Sequence, residues 1–271
     1  MVELDKIYNE DCLQGMKRID TAAVDCIICD PPYLLENQGG GFWAKTEEPN
    51  VNAESEQEQD EDFFSFSERE QGRHKANHYN ARGTRNGMNR LGNIKDGFDD
   101  EVLDEMCRVM KQVNIYLFCS QRQIKRYLDY FVGGRGCNWN LLTWHKTNPI
   151  PACGNKYLND TEYIMFFREK GVKIYGSYET KRTFYTTLRN QEDNMRYKHP
   201  TVKPLQIVRN LVVNSTKVGG VVLDPFIGSG TTAVACAKEH RRYIGFEIDE
   251  RHYRTAISRI RNEMAQLSLF E

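Results

Sequence analysis

Apolar residues recur along this chain in two rhythms. Short runs, nearly continuous or alternating, occupy residues 4–8, 24–29, 113–119, 138–146, 161–168, 221–224 and 242–248 and predict seven strands. Between them the spacing lengthens to three and four. In 99–110 the apolar positions are Val102, Leu103, Met106, Val109 and Met110, and in 204–215 they include Leu205, Val208, Leu211 and Val212. Those stretches predict helices, as do 11–19, 121–131, the Ala-rich 230–239 and 253–264. The run Val24-Asp25-Cys26-Ile27-Ile28-Cys29 has one polar interruption, which suits a central strand covered on both faces.

Strands alternating with helices predict an α/β fold with a doubly wound, mostly parallel, seven-stranded sheet. Residues 138–168 carry two strand patterns and no helix, so an antiparallel hairpin is expected at one edge. Two segments break the alternation. Residues 34–97 start near Gly39-Gly40-Gly41, turn acidic and Gln/Asn-rich at 47–62, then carry Arg73, Lys75, Arg82, Arg85 and Arg90 among His74, His78 and Tyr79. A stretch this long without a period reads as a functional loop or a disordered one. Residues 169–198 hold Lys181, Arg182 and Arg189 among several tyrosines. The expected organisation is a single domain made of 1–33 and 98–271, interrupted by an inserted region at 34–97. A length of 271 residues accommodates that.

Charge adds little by itself. Lys and Arg number 37 against 38 Asp and Glu, a net charge of -1, so nucleic acid is neither indicated nor excluded. The basic segments have two readings: solvated faces, or a DNA clamp in 34–97 and a target-recognition segment in 169–198. No apolar run approaches the ~20 residues of a membrane span, and residues 1–10 lack a signal-peptide centre. A soluble cytoplasmic protein with no membrane partner is expected. Eight cysteines are scattered. The one close pair, Cys26 and Cys29, falls inside a predicted buried strand, and no second pair completes a zinc site. Buried free thiols and no metal are expected.

Candidate chemistry gathers at strand ends. Asp30-Pro31-Pro32-Tyr33 directly follows the central strand, where open α/β sheets bind ligands. Two prolines remove backbone donors and leave carbonyls and a carboxylate as acceptors. Such a cluster beside an aromatic ring suits a planar amine, although a plain strand-ending turn has the same sequence. Residues 221–233 read strand, Gly-rich turn, helix, with Asp224, Pro225, Phe226, Gly228, Ser229, Gly230, Thr231 and Thr232. Glycines admit a ligand to the backbone, and a helix N-terminus offers free N–H groups. Gly228-x-Gly230-x-x-Ala233 also fits a loose dinucleotide fingerprint, with Glu247 and Ile248 ending the next strand where a ribose-binding acid belongs. Asp224 argues against a nicotinamide enzyme, because it repels a pyrophosphate and attracts a sulfonium or ammonium. Asp11 and Cys12 follow the first strand. Thr201 and Lys203 precede a helix, and Lys203 is either a carboxylate ligand or a solvated lysine.

Taken together, these motifs resemble the β-class, or permuted, amino-group DNA methyltransferases. Asp30-Pro31-Pro32-Tyr33 matches the catalytic motif, and Asp224-Pro225-Phe226-x-Gly228-x-Gly230-Thr231-Thr232 the cofactor motif. Glu247 matches the ribose acid, and His199-Pro200-Thr201-x-Lys203-Pro204 the element before the cofactor strand. Asn9-Glu10-Asp11-Cys12 resembles the opening Gly-Asp-Cys, with Glu10 in place of glycine. The resemblance implies the class I methyltransferase sheet and S-adenosylmethionine as cofactor. Asp11 would contact its adenine end. Double-stranded DNA is the implied partner, with a base flipped into the site. The Asp form of the tetrapeptide favours adenine N6 over cytosine N4. RNA, protein and non-catalytic DNA-binding alternatives stay open. Members are bacterial or phage-encoded and often dimeric. Some accompany a restriction enzyme and others act as solitary modifiers.

Overall fold

The computed structural model describes residues 2–32, 98–151, 155, 157–197 and 202–267. All belong to one compact unit, Met1–Leu34 with Lys95–Glu271. Tyr33, Thr201 and the proposed clamp arginines and lysine (Arg73, Lys75, Arg82, Arg85, Arg90) lie outside the described residues.

Eight strands form one sheet in the order β1-β8-β7-β2-β3-β5-β4-β6. They are β1 (Lys6–Tyr8), β2 (Cys26–Cys29), β3 (Asn114–Cys119), β4 (Asn138–Lys146), β5 (Thr161–Arg168), β6 (Phe184–Thr187), β7 (Val221–Asp224) and β8 (Arg242–Phe246). Among them only β5 runs against the rest, pairing antiparallel with both β3 and β4. The expected hairpin is present. The expected count of seven is corrected to eight, because β6 adds parallel to β4 at the edge. Its sequence, Phe-Tyr-Thr-Thr, alternates exposed and half-buried positions and has no apolar run to announce it. Pairing with β4, rather than burial, makes it a strand.

The sheet is wound on both faces. Ile27 and Cys29 face a core completed by α1 (Cys12–Met16), α2 (Asp100–Val109) and α3 (Gln121–Tyr127), which runs on as a π-helix over Leu128–Gly133. Cys26 and Ile28 face the opposite core, closed by α5 (Leu205–Ser215), α6 (Thr231–Lys238) and α7 (Glu250–Leu267). This alternation explains the continuous apolar run of β2: a strand buried on both faces needs apolar side chains at every position. A short α4 (Gln191–Arg196) buries none of its side chains, so it lacks the stripe that would predict it. The seven described cysteines are free thiols, and all but Cys107 are buried.

The end of the sheet opposite the strand carboxyl termini is pinned by polar bonds. Asn114 Nδ2 donates to the carbonyls of Asp25 (2.9 Å) and Ser215 (3.1 Å), and Val221 N donates to Asp25 Oδ2 at 2.9 Å. β2, β3 and β7 are thereby fixed at one end, and their other ends lead into Asp30, Ser120 and the loop after Asp224. No helix among the described residues is long and apolar enough to cross a membrane.

Candidate active site

Asp30 is the first residue past β2, and Asp224 is the last residue of the neighbouring β7. The Asp30-Pro31-Pro32 turn and the Gly-rich loop, 194 positions apart in the chain, therefore emerge side by side.

Asp30 is held by a chain of charges centred on the buried Lys203. Lys203 Nζ lies 2.6 Å from Asp30 Oδ2 and 3.2 Å from Glu162 Oε2, and Lys146 Nζ lies 2.6 Å from Glu162 Oε1. Lys203 is 7% exposed and sits over the Phe118 ring. Burial pulls its ammonium down, but Asp30 and Glu162 outweigh burial and leave it above the ordinary lysine value. Burial likewise pushes Glu162 up, and Lys203 and Lys146 more than reverse that. The sequence offered Lys203 as a ligand for a cofactor carboxylate. In the structure its ammonium is shared by two protein carboxylates. Buried Val202 and half-buried Pro204, the residue that caps α5, flank Lys203 and hold it beneath the Asp30 turn.

The turn is supported from the other side by Gln123, which is fully buried and donates through Nε2 to the Pro32 carbonyl at 3.1 Å. Its Oε1 accepts from Ser120 N and Ser120 Oγ, both at 3.0 Å. Glu162 and Gln123 were both missed in the sequence. Ser120-x-x-Gln123 is a capping-box pattern and was legible there as a helix start. Glu162 left no signal, since a lone acid in a strand has no spacing.

Asp224 is 4% exposed and organises the loop from within. Its Oδ1 accepts from Phe226 N (3.0 Å) and its Oδ2 from Thr232 Oγ1 (2.6 Å). Burial raises its pKa to about 7, against the pull of the Thr232 and Phe226 hydrogen bonds. Gly228 and Gly230 have φ of 51° and 81°, a region that side chains avoid. At Gly230 a Cβ would also stand 3.1 Å from the Ala256 Cβ of α7. Pro225 is buried, and Phe226 packs its ring 5.6 Å from that of Phe98. Arg259 of α7, 3% exposed, reaches under the loop and donates to Thr231 Oγ1 (2.8 Å) and to Ser229 Oγ and O (3.3 Å each). It too was missed in the sequence.

Glu247, just past β8, accepts from Gly228 N (3.0 Å) and Asp249 N (2.8 Å), and burial raises its pKa. Asn9 Nδ2 donates to the Glu247 and Ile248 carbonyls at 2.8 and 3.3 Å. The strand-end segments of β1 and β8 are thus joined. Ile248 is exposed there, and Asp11 caps α1 by accepting from Gln14 N at 3.1 Å. Burial raises the neighbouring Cys12 thiol to about 12, which makes it inert as a nucleophile. Of the recognition candidates, Lys181 is exposed and Arg182 pairs with Glu179 at 2.8 Å. The backbone N–H of Arg189 donates to Asn148 Oδ1 at 2.5 Å. All three flank β6 at the sheet edge.

A family model described as DNA methylase, of the N6/N4 type, matches residues 24–258. The chain belongs to this family. Its cofactor is S-adenosylmethionine, and its sheet is the class I methyltransferase sheet. Among relatives, the type II methyltransferase M2.MboI of Moraxella bovis is 24% identical over 96% of this chain and 91% of its own length. M.HinfI of Haemophilus influenzae is 25% identical over 98% of this chain and 72% of its own. M2.DpnII of Streptococcus pneumoniae is 33% identical over 46% of this chain, and the match spans about half, 51%, of that relative. In fold, the chain is similar to M1.HpyAVI in complex with SAM (TM-score 0.59, 22% identity, 94% of this chain and 98% of that one). It is equally similar to the cytosine-N4-specific PvuII methyltransferase (TM-score 0.60, 12% identity, 93% and 84%).

Proposed function

We propose that this methyltransferase acts on the N6 amino group of an adenine flipped out of duplex DNA. The observation that carries the reading is the acceptor cluster at the end of β2: Asp30, locked by Lys203, beside the donor-free Pro31-Pro32 turn.

The residues present fit the cofactor. Asp224 and Glu247 offer negative charge on adjacent strand ends, and Gly228 and Gly230 keep the backbone between them open. Asp224, Pro225, Phe226, Gly228, Ser229, Gly230, Thr231 and Thr232 would form one wall of its site. Glu247 would take the ribose, and Asp11, Cys12 and Ile248 would border the adenine. When bound, S-adenosylmethionine supplies an electrophilic methyl group and a neutral thioether leaving group. The Asp30 carboxylate and the Pro31 carbonyl accept the two N–H groups of the target amine. Those bonds localise the nitrogen lone pair and stabilise the positive charge that grows on it. Tyr33 is assigned to stack on the base, which offsets roughly 1–3 kcal/mol of lost stacking. The extra proton leaves for water. Lys181, Arg182 and Arg189 are assigned to DNA, with Arg73, Lys75, Arg82, Arg85 and Arg90. A homodimer and a restriction partner belong to the same reading.

Cytosine N4 is the second reading, favoured by the likeness in fold to the PvuII enzyme. Mass spectrometry of nucleosides from duplex DNA treated with the protein decides between them. N6-methyladenine is expected, and N4-methylcytosine alone would overturn the assignment.

Asp224 makes cofactor binding pH-dependent. Its pKa is about 7 in the free protein, so the neutral acid is populated below that pH. A cationic ligand favours the carboxylate, and binding at low pH must therefore expel a proton. The dissociation constant for S-adenosylmethionine is expected to rise as pH falls from about 8 to about 6, approaching tenfold per unit below about 7. Calorimetry in two buffers of different ionisation heat reads the released proton directly. A flat profile, or one unchanged in Asp224→Asn, would remove Asp224 from the linkage.

A further inference from the structure

A polar cavity of about 350 Å³ opens between the end of α4 and one face of α7. α7 contributes Arg254, Ser258, Arg259 and Asn262, and α4 with the residue after it contributes Arg196 and Tyr197. With Thr255 between them, the α7 residues fall at i, i+1, i+4, i+5 and i+8, so they form a polar stripe. No carboxylate among the described residues lines the cavity.

Most helix faces directed at a neighbouring element are apolar, and this one carries guanidinium groups instead. Arg259 is buried, stacks 4.3 Å from the Tyr197 ring and has no ion-pair partner among the described residues. Its Nε is sealed from solvent without a hydrogen-bond acceptor among the described residues. Arg196 lies over the same ring and is likewise without an ion pair among the described residues. Arg254 reaches Glu250 one turn back, at the exposed helix surface. Two nearby acids bear on Arg259 at longer range without pairing with it: Asp193 of α4, whose Oδ2 accepts from Asn190 Nδ2 at 2.9 Å, and Glu263 of α7, engaged by Lys238 at 2.7 Å. A buried cation with an unused donor is costly unless an anion answers it. Planar guanidiniums in a group match the oxygens of a phosphate.

We propose that this cavity is a phosphate site and that its ligand is a backbone phosphodiester of DNA. The location supports that source. Arg259 grips Ser229 and Thr231, where α6 begins past the carboxyl end of β7, so the cavity adjoins the rim that bears Asp30. DNA delivering a base to Asp30 must approach that rim. The phosphate would then brace the cofactor loop through Arg259 while fixing the register of the strand. The inference rests on DNA as substrate but not on which base is methylated.

The test uses the full chain and a labelled 20-base-pair duplex of mixed sequence, followed by fluorescence anisotropy over a range of salt concentrations. The variant Arg196→Gln with Arg254→Gln changes two side chains at the mouth and leaves the buried Arg259 in place. Each lost phosphate contact should flatten the slope of log affinity against log salt by roughly 0.9, so roughly two units are expected for the pair. Affinity at moderate salt should fall on the order of 10- to 100-fold. The charge-matched pair Lys111→Gln with Arg135→Gln, at the opposite end of the sheet, should leave the slope as it is. An unchanged slope in the first pair, or equal losses in both pairs, would overturn the site. Inorganic phosphate is titrated in parallel at matched ionic strength. Phosphate binding that the first pair abolishes, with DNA binding intact, would mark a site for free phosphate and overturn the DNA assignment. A wild-type chain that binds no duplex would sink the DNA reading itself.

Discussion

Asp30→Ala is expected to lose methyl transfer by at least 10²–10³-fold, the order seen when a preorganised partner of developing charge is deleted. S-adenosylmethionine affinity should stay within a few-fold. The reasoning is local. Asp30 stands past the end of β2 on the acceptor side of the turn, whereas the loop assigned to the cofactor is built by Asp224, Gly228, Gly230 and Arg259. Asp30→Asn should fall between the two, because its amide oxygen still accepts one hydrogen bond from the target amine. Single-turnover rates with bound cofactor separate this loss from weaker binding. A variant that methylates at the wild-type rate would remove Asp30 from the chemistry, and with it the reading of the whole turn.

The second large effect is expected at Lys203. Lys203→Met deletes a cation that touches both Asp30 and Glu162, and it leaves two carboxylates confined together. Breaking such a buried arrangement costs about 3–5 kcal/mol. Thermal unfolding should register a loss of several degrees or more, and methylation should fall with it. The pH dependence distinguishes this from a simple packing defect. Glu162 is held below its ordinary value, so its contribution to stability is present above about pH 4.5 and lost as pH falls through its folded pKa. Without Lys203 that window moves upward, and the acid limb of unfolding should shift to higher pH. Lys203→Arg keeps the charge and should recover much of the stability, while the bulkier fork displaces Asp30 and keeps turnover low. Wild-type stability and turnover in Lys203→Met would show that the ammonium supports neither.

Much of this was legible in the sequence. The central strand announced itself because burial on both faces leaves no position for a polar residue. The loop after β7 did so because φ values of 51° and 81° select glycine. β6 and α4 were invisible for the converse reason: neither carries a fully buried position, so neither has an apolar run or stripe. The site divides in the same way. Asp30, Asp224 and Glu247 follow apolar runs, and a polar residue at the end of such a run stands out. Glu162, Gln123 and Arg259 act through partners 41, 91 and 30 positions away, distances that no local pattern encodes. Lys203 was noticed and given a different partner, because sequence shows that a lysine is placed but not the direction in which it points.

The pairing of β2 with β7 works as a ruler. Cys26 is level with Val222 and Ile27 with Leu223, so the ladder carried one step further sets Ile28 beside Asp224. Asp30 then stands two residues higher, roughly 6.6 Å along the strand direction. That offset separates the level of the buried loop carboxylate from the level of the carboxylate assigned to the target amine. It is written into backbone hydrogen bonds and clamped at the far end by Asn114 and Asp25. An insertion of one residue in β2 would advance Asp30 by half an offset and rotate it to the opposite face of the sheet. Side chains around the pocket can vary with the base or sequence to be recognised, but the length of this strand is held to a single residue.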